Sequence, residues 1–456
     1  MKAPRTEISP MMQELSAYIA GALRKPLPPL IIERAKVHLV DTYAAMISGS
    51  RLLPGKRAVA YVKAQGGKPE AGVIGTRIVT SIPNAVLANA MLAHADETDD
   101  THPPSRTHPG SGVVPAALAI GERDRLSGTA VLRAIVLGYD ICARTLLAIN
   151  EMHFRHTGHH PSTFGRGFGA AAAASALLGF DARKVRFVLS YTAQQAAGLS
   201  TVYRDSEHIE KSFMSGMPAH NGVVAAIMVA HGFTGVDDVF TGERNFFYTF
   251  APEADRAQLT RGLGRDYEIL RCAIKRWSAG GPIQGPLHVL RDLIRQHGFG
   301  PGDVEKLVAR MPEKDLQSVN NRDMPDICVQ HLLTVMLLDG TVTFKSAHDY
   351  ARMQDPRVRS LRKRVEAVGD PGLTDTLRRW RCVMEITLKD GRKLTHQTMA
   401  AKGSSEDPLT RDEEEEKALD LIAPVVGKRR AHALMAELWD FDRIKDVRSL
   451  RSLGSA

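Results

Sequence analysis

From the start of the chain to about residue 265, apolar residues recur at spacings of three and four, the period of one face of an α-helix. Between Leu30 and Ile47, Ile31, Ala35, Leu39 and Tyr43 share a face with Val40 and Ala44, and Gly49 stands where the helix would end. The same spacing predicts helices over Pro83–Ala95, Val113–Gly121, Ser127–Leu147, Phe164–Leu178, Ala182–Ala197 and Gly216–His231. Several are rich in Ala and Gly, whose small side chains let helix axes approach closely. A compact bundle with helices buried inside it follows.

After about residue 268 the period changes. Tyr267–Ile274, Val304–Met311, Arg364–Val368 and Trp380–Leu388 read as strands, and Asp390-Gly391 joins the last to Lys393–Met399 as a hairpin. An Asp-Gly pair suits a two-residue turn in which both positions have positive φ. Helices are predicted among these strands at Pro286–His297 and Ile327–Leu338. Past a polar linker, Lys402–Pro408, helix returns: Thr410 with Glu413 forms a capping box opening Asp412–Ile422, and the Glu413–Glu416 run suits a first helical turn. No internal repeat is evident. The expected fold is mainly α, with a helical bundle domain at 1–267 plus 403–456 interrupted by a smaller α+β domain at 268–402.

Composition fits this picture. The 456 residues, 43% hydrophobic and 24% charged, are ordinary for a globular protein of one to three domains. The longest apolar stretch, Phe168–Phe180, is mostly alanine and too short to cross a bilayer, and the N-terminus lacks the apolar core of a signal peptide. Cys142, Cys272, Cys328 and Cys382 form no C-x-x-C pair, so free thiols in a reducing cytoplasm are expected. A net charge of +9 is too thin for a nucleic-acid binder. The densest basic stretch, Arg352–Arg381, contains Arg357, Arg359, Arg362, Lys363 and Arg364 with no aromatic among these five and reads as solvated surface.

The segment from His94 to Gly112 carries the strongest chemical signal. Asp96, Glu97, Asp99 and Asp100 follow the C-terminal end of a predicted helix, where the dipole disfavours carboxylates by about 0.3 to 1 kcal/mol each. An exposed acidic loop would tolerate that cost; a buried acid/base group beside His102 and His108 would explain it. Two further clusters, His153 to Pro161 and Arg204 to Lys211, also precede predicted helices. Helix N-termini attract anions, which makes Ser111, His160 and Lys211 candidates for a pocket binding a di- or tricarboxylate.

Other motifs lack their context. Gly167-Phe-Gly169-Ala-Ala-Ala172 matches G-x-G-x-x-A, but polar, His-rich residues precede it instead of a strand. There is no P-loop and no G-x-S-x-G. Asp99, Asp100, His102, His108 and the histidines from His153 to His160 are metal-ligand types without a recognisable metal spacing.

Taken together, these residues resemble the MmgE/PrpD family, whose activities include 2-methylcitrate dehydratase, cis-aconitate decarboxylase and iminodisuccinate epimerase. The similarity rests on Ala88 to His94 leading to Asp99-Asp-Thr101 and His108-Pro, on Gly158-His-His160-Pro161 with Phe164-Gly165, on Lys211 followed by Gly216 and Asn221-Gly222, and on Leu337-Leu-Asp-Gly340 and Leu388-Lys-Asp-Gly391. The resemblance implies a helical domain with an inserted α+β lid, a homodimer, and no metal or organic cofactor. It implies Glu97, Thr101, His108, His160 and Lys211 as catalytic residues, with Ser111, Asp100, Lys275 and Gln284 as expected substrate contacts. Three positions depart from the family's pattern. Glu97 is longer than the Asp of some relatives, Met214 stands where many have His, and the stretch Lys275 to Gln284 lacks the His of the decarboxylase branch.

The expected activity is therefore that of a cofactor-independent lyase, a 2-methylcitrate dehydratase-like enzyme for a small polycarboxylate or 2-hydroxy acid. His108 and His160 would serve as base and acid, Lys211 would hold a carboxylate, Glu97 would orient a histidine, and Thr101 would bond substrate. The alternatives are a decarboxylase or epimerase of the same family, a metal-dependent hydrolase, and a carboxylate-binding protein without turnover.

Overall fold

The computed structural model describes residues 7–149, 154, 156–375, 377 and 379–455; His153 of the second histidine cluster lies outside them. The chain divides into two compact units, one of residues 1–95, 99–272 and 421–456, the other of residues 96–98 and 273–420.

The first unit is a helical bundle, mainly α as the hydrophobic pattern implies. Its helices include Pro29–Gly49, Ile82–Ala93, Pro109–Asp124, Gly128–Ile149, Pro161–Leu177, Ala182–Gln194 and Ile209–Ala230. Every residue of Pro161–Leu177 is buried, so this Ala- and Gly-rich helix is the bundle's axis. Against it pack Gly128–Ile149, Ile209–Ala230 and Pro109–Asp124. The small residues permit the close approach: a Cβ on Gly222 would lie 2.4 Å from the Gly167 carbonyl oxygen. Gly167 and Gly169 are thus packing residues in mid-helix rather than parts of a dinucleotide turn. Ile209–Ala230 is long and apolar enough to cross a membrane, but more than half of its apolar window is buried in packing.

Two expectations are corrected here. Residues 267–274 form no strand; Glu268–Arg271 is a short 3-10 helix. Its order comes from side chains, because the Asp140 carboxylate accepts from the Glu268 backbone N–H at 2.7 Å and Ile269 is buried. The helix expected from Gly216 begins at Ile209. Gly216, read as the helix start, lies inside the helix, as does Pro218.

The second unit holds a four-stranded mixed sheet in the order Val365–Gly369, Val304–Met311, Cys382–Leu388, Lys393–Thr398. The first pair is parallel and the other two antiparallel. Cys382, Met384, Ile386 and Leu388 alternate onto the buried face, where helices Gln284–His297 and Val329–Asp339 supply the remaining core. The Asp390-Gly391 hairpin forms, but only Gly391 is left-handed, at φ +88°. The Gly391 N–H donates to the Leu388 carbonyl at 2.9 Å, so a three-residue loop ending in a left-handed glycine replaces the expected two-residue turn. The Thr410–Glu413 capping box is present, with reciprocal bonds of 3.0 and 3.3 Å, and opens helix Arg411–Val426. The units divide at 272/273 and 420/421, later than the expected 267 and 403. The helix start stays with the second unit because Glu413 pairs with Arg276 at 2.5 Å and Asp420 accepts from the Phe344 N–H at 2.7 Å.

Candidate active site

The acidic loop is buried: Asp96, Glu97, Asp99 and Asp100 are 3%, 8%, 0% and 0% exposed. The two neighbouring aspartates do different work. The Asp99 carboxylate lies 3.0 Å from His94 Nδ1 and 3.3 Å from His108 Nδ1. Burial acts to raise the Asp99 pKa, but the two imidazoles outweigh it and hold the group well below the usual carboxylate range. His94 goes the other way: burial, with the Arg166 charge helping, pushes it down to about 4 against the pull of Asp99. Asp99 is therefore ionised and His94 neutral near pH 7.

His108 occupies the N-cap position of Pro109–Asp124 without a capping bond from its side chain. Its Nδ1 is 2.7 Å from the Asp100 carbonyl oxygen, which can only accept, so Nδ1 carries a proton. In the neutral imidazole Nε2 then has the lone pair. The side chain is 20% exposed, so this ring is not sealed away.

Asp100, expected to touch substrate, has both carboxylate oxygens engaged within the protein. One oxygen takes His38 Nδ1 and the Tyr139 hydroxyl, both at 2.7 Å, and the other takes the Gly110 N–H at 3.1 Å. It caps the helix that carries His108. Ser111, also expected to bind substrate, is fully buried in that helix's first turn and donates to the His108 carbonyl at 3.0 Å. Thr101 donates to the Thr107 carbonyl at 3.1 Å, closing the loop that delivers His108. His102 is structural, being buried between Ser105 at 2.7 Å and Glu268 at 3.1 Å.

His160 is the N-cap residue of Pro161–Leu177, and its Nε2 meets the Tyr203 hydroxyl at 3.0 Å. Lys211 lies in the first turn of Ile209–Ala230 rather than upstream of it, because the helix starts early. Asp205 caps this helix through the Glu210 and Lys211 N–H groups, at 2.7 and 3.2 Å. Thus two of the three helix N-termini expected to attract a substrate anion receive an aspartate of the chain itself. The preceding residue, His208, is buried in the left-handed region at φ 62°, a conformation that costs a non-glycine residue energy. Its ring centroid lies 6.0 Å from that of His94.

Arg166 joins these helix ends. Its fully buried guanidinium reaches the His108 carbonyl at 3.1 Å and the Met214 carbonyl at 3.5 Å, and Ser162 donates to the Arg106 carbonyl at 3.2 Å. Arg166 and Tyr203 were missed by the sequence reading. The signal for Arg166 was available, a lone arginine between two glycines in an otherwise apolar helix.

Within the second unit, Lys275 is 1% exposed and donates to Glu97 at both the carbonyl, 3.0 Å, and the carboxylate, 3.3 Å. Lys417 holds the Thr98 carbonyl at 3.1 Å, and His348 pairs with Asp96 at 3.0 Å. Three cations thus grip three consecutive residues. Gln284, expected to contact substrate, is engaged within its own loop. Its amide is engaged by Trp277 N–H and by the Trp277 and Ala279 carbonyls at 3.2, 3.1 and 3.0 Å, and it is fully buried.

His94, Asp99 and His108 place ligand atoms within 4.8 Å of one another, a spacing a metal could use. The donor chemistry fits a hydrogen-bond clamp better, since the proton on His108 Nδ1 faces a carbonyl and removes that nitrogen as a ligand.

Comparisons with known proteins agree with the fold. The MmgE/PrpD N-terminal domain matches residues 13–258 and the MmgE/PrpD C-terminal domain matches 277–441. Human cis-aconitate decarboxylase is 27% identical over 462 residues, covering 97% of this chain and 92% of the relative. The mouse cis-aconitate decarboxylase is 25% identical with the same coverage. The cis-aconitate decarboxylase-like protein oryM of Aspergillus oryzae is 24% identical over 298 residues, 62% of this chain and 61% of its own.

Proposed function

Because this chain belongs to the MmgE/PrpD family, a family with lyase members, we propose that it dehydrates a small polycarboxylate by proton transfer at the carbon beside a carboxylate. The observation that carries the reading is the pinned Nδ1 proton of His108, which leaves Nε2 as a base in the neutral ring. In the step, His108 Nε2 takes the C–H proton and the electron pair forms the C=C bond. The C–O bond on the adjacent carbon breaks, and the leaving hydroxide receives a proton from His160, hydrogen-bonded to Tyr203, to depart as water. Lys211 holds a substrate carboxylate and stabilises the charge that develops on it. Glu97, paired with Lys275, and Thr101, closing the His108 loop, act on the placement of the reacting groups.

A second reading, decarboxylation, is favoured by the names of the relatives. There the C–C bond to a carboxylate breaks and the carbon left behind takes a proton, a step that needs a donor more than a base. Incubation with citrate, 2-methylcitrate and cis-aconitate in D2O, followed by proton NMR, separates the two. Dehydration gives a new alkene with its carboxylates retained, and decarboxylation gives a product one carboxylate shorter. Full turnover by a His108→Ala variant on whichever substrate reacts removes the mechanism; a loss of about 100-fold or more supports it.

A homodimer accompanies the family reading. Support comes from apolar side chains left exposed on and beside helix Ile209–Ala230, namely Phe213, Leu199 and Tyr203 at 44%, 56% and 51%. Light scattering on the purified protein tests it. A cytoplasmic location, proposed from the four free cysteines, is tested by fractionation.

A further inference from the structure

We infer that Asp99 is a positioning residue that makes His108 a stronger base, while the neighbouring Asp100 carbonyl is the closer acceptor that fixes which nitrogen is basic. The inference rests on the proposed role of His108 and adds the source of its basicity. Two acceptors face His108 Nδ1: the Asp100 carbonyl oxygen at 2.7 Å and an Asp99 carboxylate oxygen at 3.3 Å. The shorter contact is the hydrogen bond that sets the tautomer. The longer one places a buried negative charge beside the ring, and that charge stabilises the imidazolium formed when Nε2 takes a proton.

His94 completes the arrangement. Its Nδ1 lies 3.0 and 3.1 Å from the two Asp99 oxygens, which fixes the carboxylate's direction, and its ring centroid is 4.8 Å from that of His108. Because burial keeps His94 neutral, it orients Asp99 without neutralising it. Charged and titratable groups close to His108 include Asp99, His94, Arg166 and the Asp100 carboxylate. Arg166 bonds the His108 carbonyl, and Asp100 is turned toward His38, Tyr139 and Gly110. Of these, Asp99 is the carboxylate that faces the ring nitrogen.

The test uses the full-length protein with 15N-labelled histidine, whose ring nitrogens report protonation and tautomer without need of a substrate. Wild-type His108, assigned by its loss in His108→Ala, is expected to carry its proton on Nδ1 in the neutral form. Asp99→Asn is expected to keep that tautomer, because the carbonyl remains, and to lower the His108 pKa by about one unit, a 10-fold loss of proton affinity. On a substrate that turns over, the same variant is expected to lower kcat at least 10-fold with KM little changed and to move the acid limb of the pH profile down by about one unit. Asp99→Glu, which keeps the charge, is expected to restore part of the pKa.

An unchanged His108 titration in Asp99→Asn overturns the inference while leaving the proposed function standing. Full activity of His108→Ala overturns the proposed function instead. If Asp99→Asn does not fold, the wild-type spectrum still decides: a neutral His108 protonated on Nε2 is incompatible with the inference.

Discussion

Replacing His348 by Gln gives a stability change whose dependence on pH follows from the structure. His348 Nε2 lies 3.0 Å from the Asp96 carboxylate, its Nδ1 meets the Phe344 carbonyl at 2.7 Å, and the two paired side chains are 16% and 4% exposed. Burial acts to lower the His348 pKa, but the Asp96 hydrogen bond and charge outweigh it and raise the group to about 9. A histidine with a raised folded-state pKa adds stability that is fully present below its unfolded value, about 6.5, and is lost as the pH climbs through about 9. The shift corresponds to about 3 kcal/mol at most. Asp96 has the opposite sign: its pKa is lowered because His348 and Thr98 outweigh burial, so its contribution disappears in acid. Urea unfolding of wild type and His348→Gln between about pH 6 and 9.5, followed by tryptophan fluorescence, reads the difference. Trp277 and Trp380, two of the three tryptophans, are buried in the same unit as the pair. The wild type should be the more stable near pH 6, and its advantage should shrink by up to about 3 kcal/mol toward pH 9.5. A constant gap, or one that widens with pH, refutes the reasoning.

Gly222→Ala should destabilise the helical unit by about 1 to 3 kcal/mol in denaturant unfolding, because the added methyl meets the Gly167 carbonyl at 2.4 Å on a fully buried helix. Gln284→Leu should cost about 2 to 4 kcal/mol, since it leaves the buried N–H of Trp277 and the carbonyls of Trp277 and Ala279 without their amide. Its KM on any substrate found should stay within about 3-fold of wild type, and a much larger rise would return Gln284 to the substrate contacts.

The elements written in period were legible. Pro29–Gly49 and Val304–Met311 fall where Leu30 to Ile47 and the strand pattern placed them, because burial on one face leaves a repeat in the sequence. The failures occur where order comes from contacts distant along the chain. Residues 267–274 alternate like a strand, but no neighbouring strand pairs with them; Asp140, far away in sequence, holds Glu268 instead. The early start at Ile209 was hidden because Gly216 and Pro218 are locally discouraging, and packing against Ile82–Ala93 and Pro161–Leu177 overrides that preference.

The same division governs the site. Sequence pointed to burial of the acidic loop, because four acids after a helix C-terminus needed burial or an alternative explanation, and the structure shows them buried. It could not apportion them, because consecutive residues in an irregular loop point in directions that only the fold sets. Asp99 turns to His94 and His108, Asp100 to His38, Tyr139 and the Gly110 N–H, and the tripeptide before them to His348, Lys275 and Lys417. The helix-end argument meets a related limit. It reads Ser111 and Lys211 as anion sites, and at those two helix starts Asp100 takes the Gly110 N–H and Asp205 the Glu210 and Lys211 N–H groups. An aspartate there relieves the helix dipole and occupies the N–H groups it meets. On the proposed reading those two helix starts leave the substrate's carboxylates to side-chain cations, and among the proposed residues Lys211 is the one whose loss should raise KM while leaving the His108 Nδ1 contacts in place.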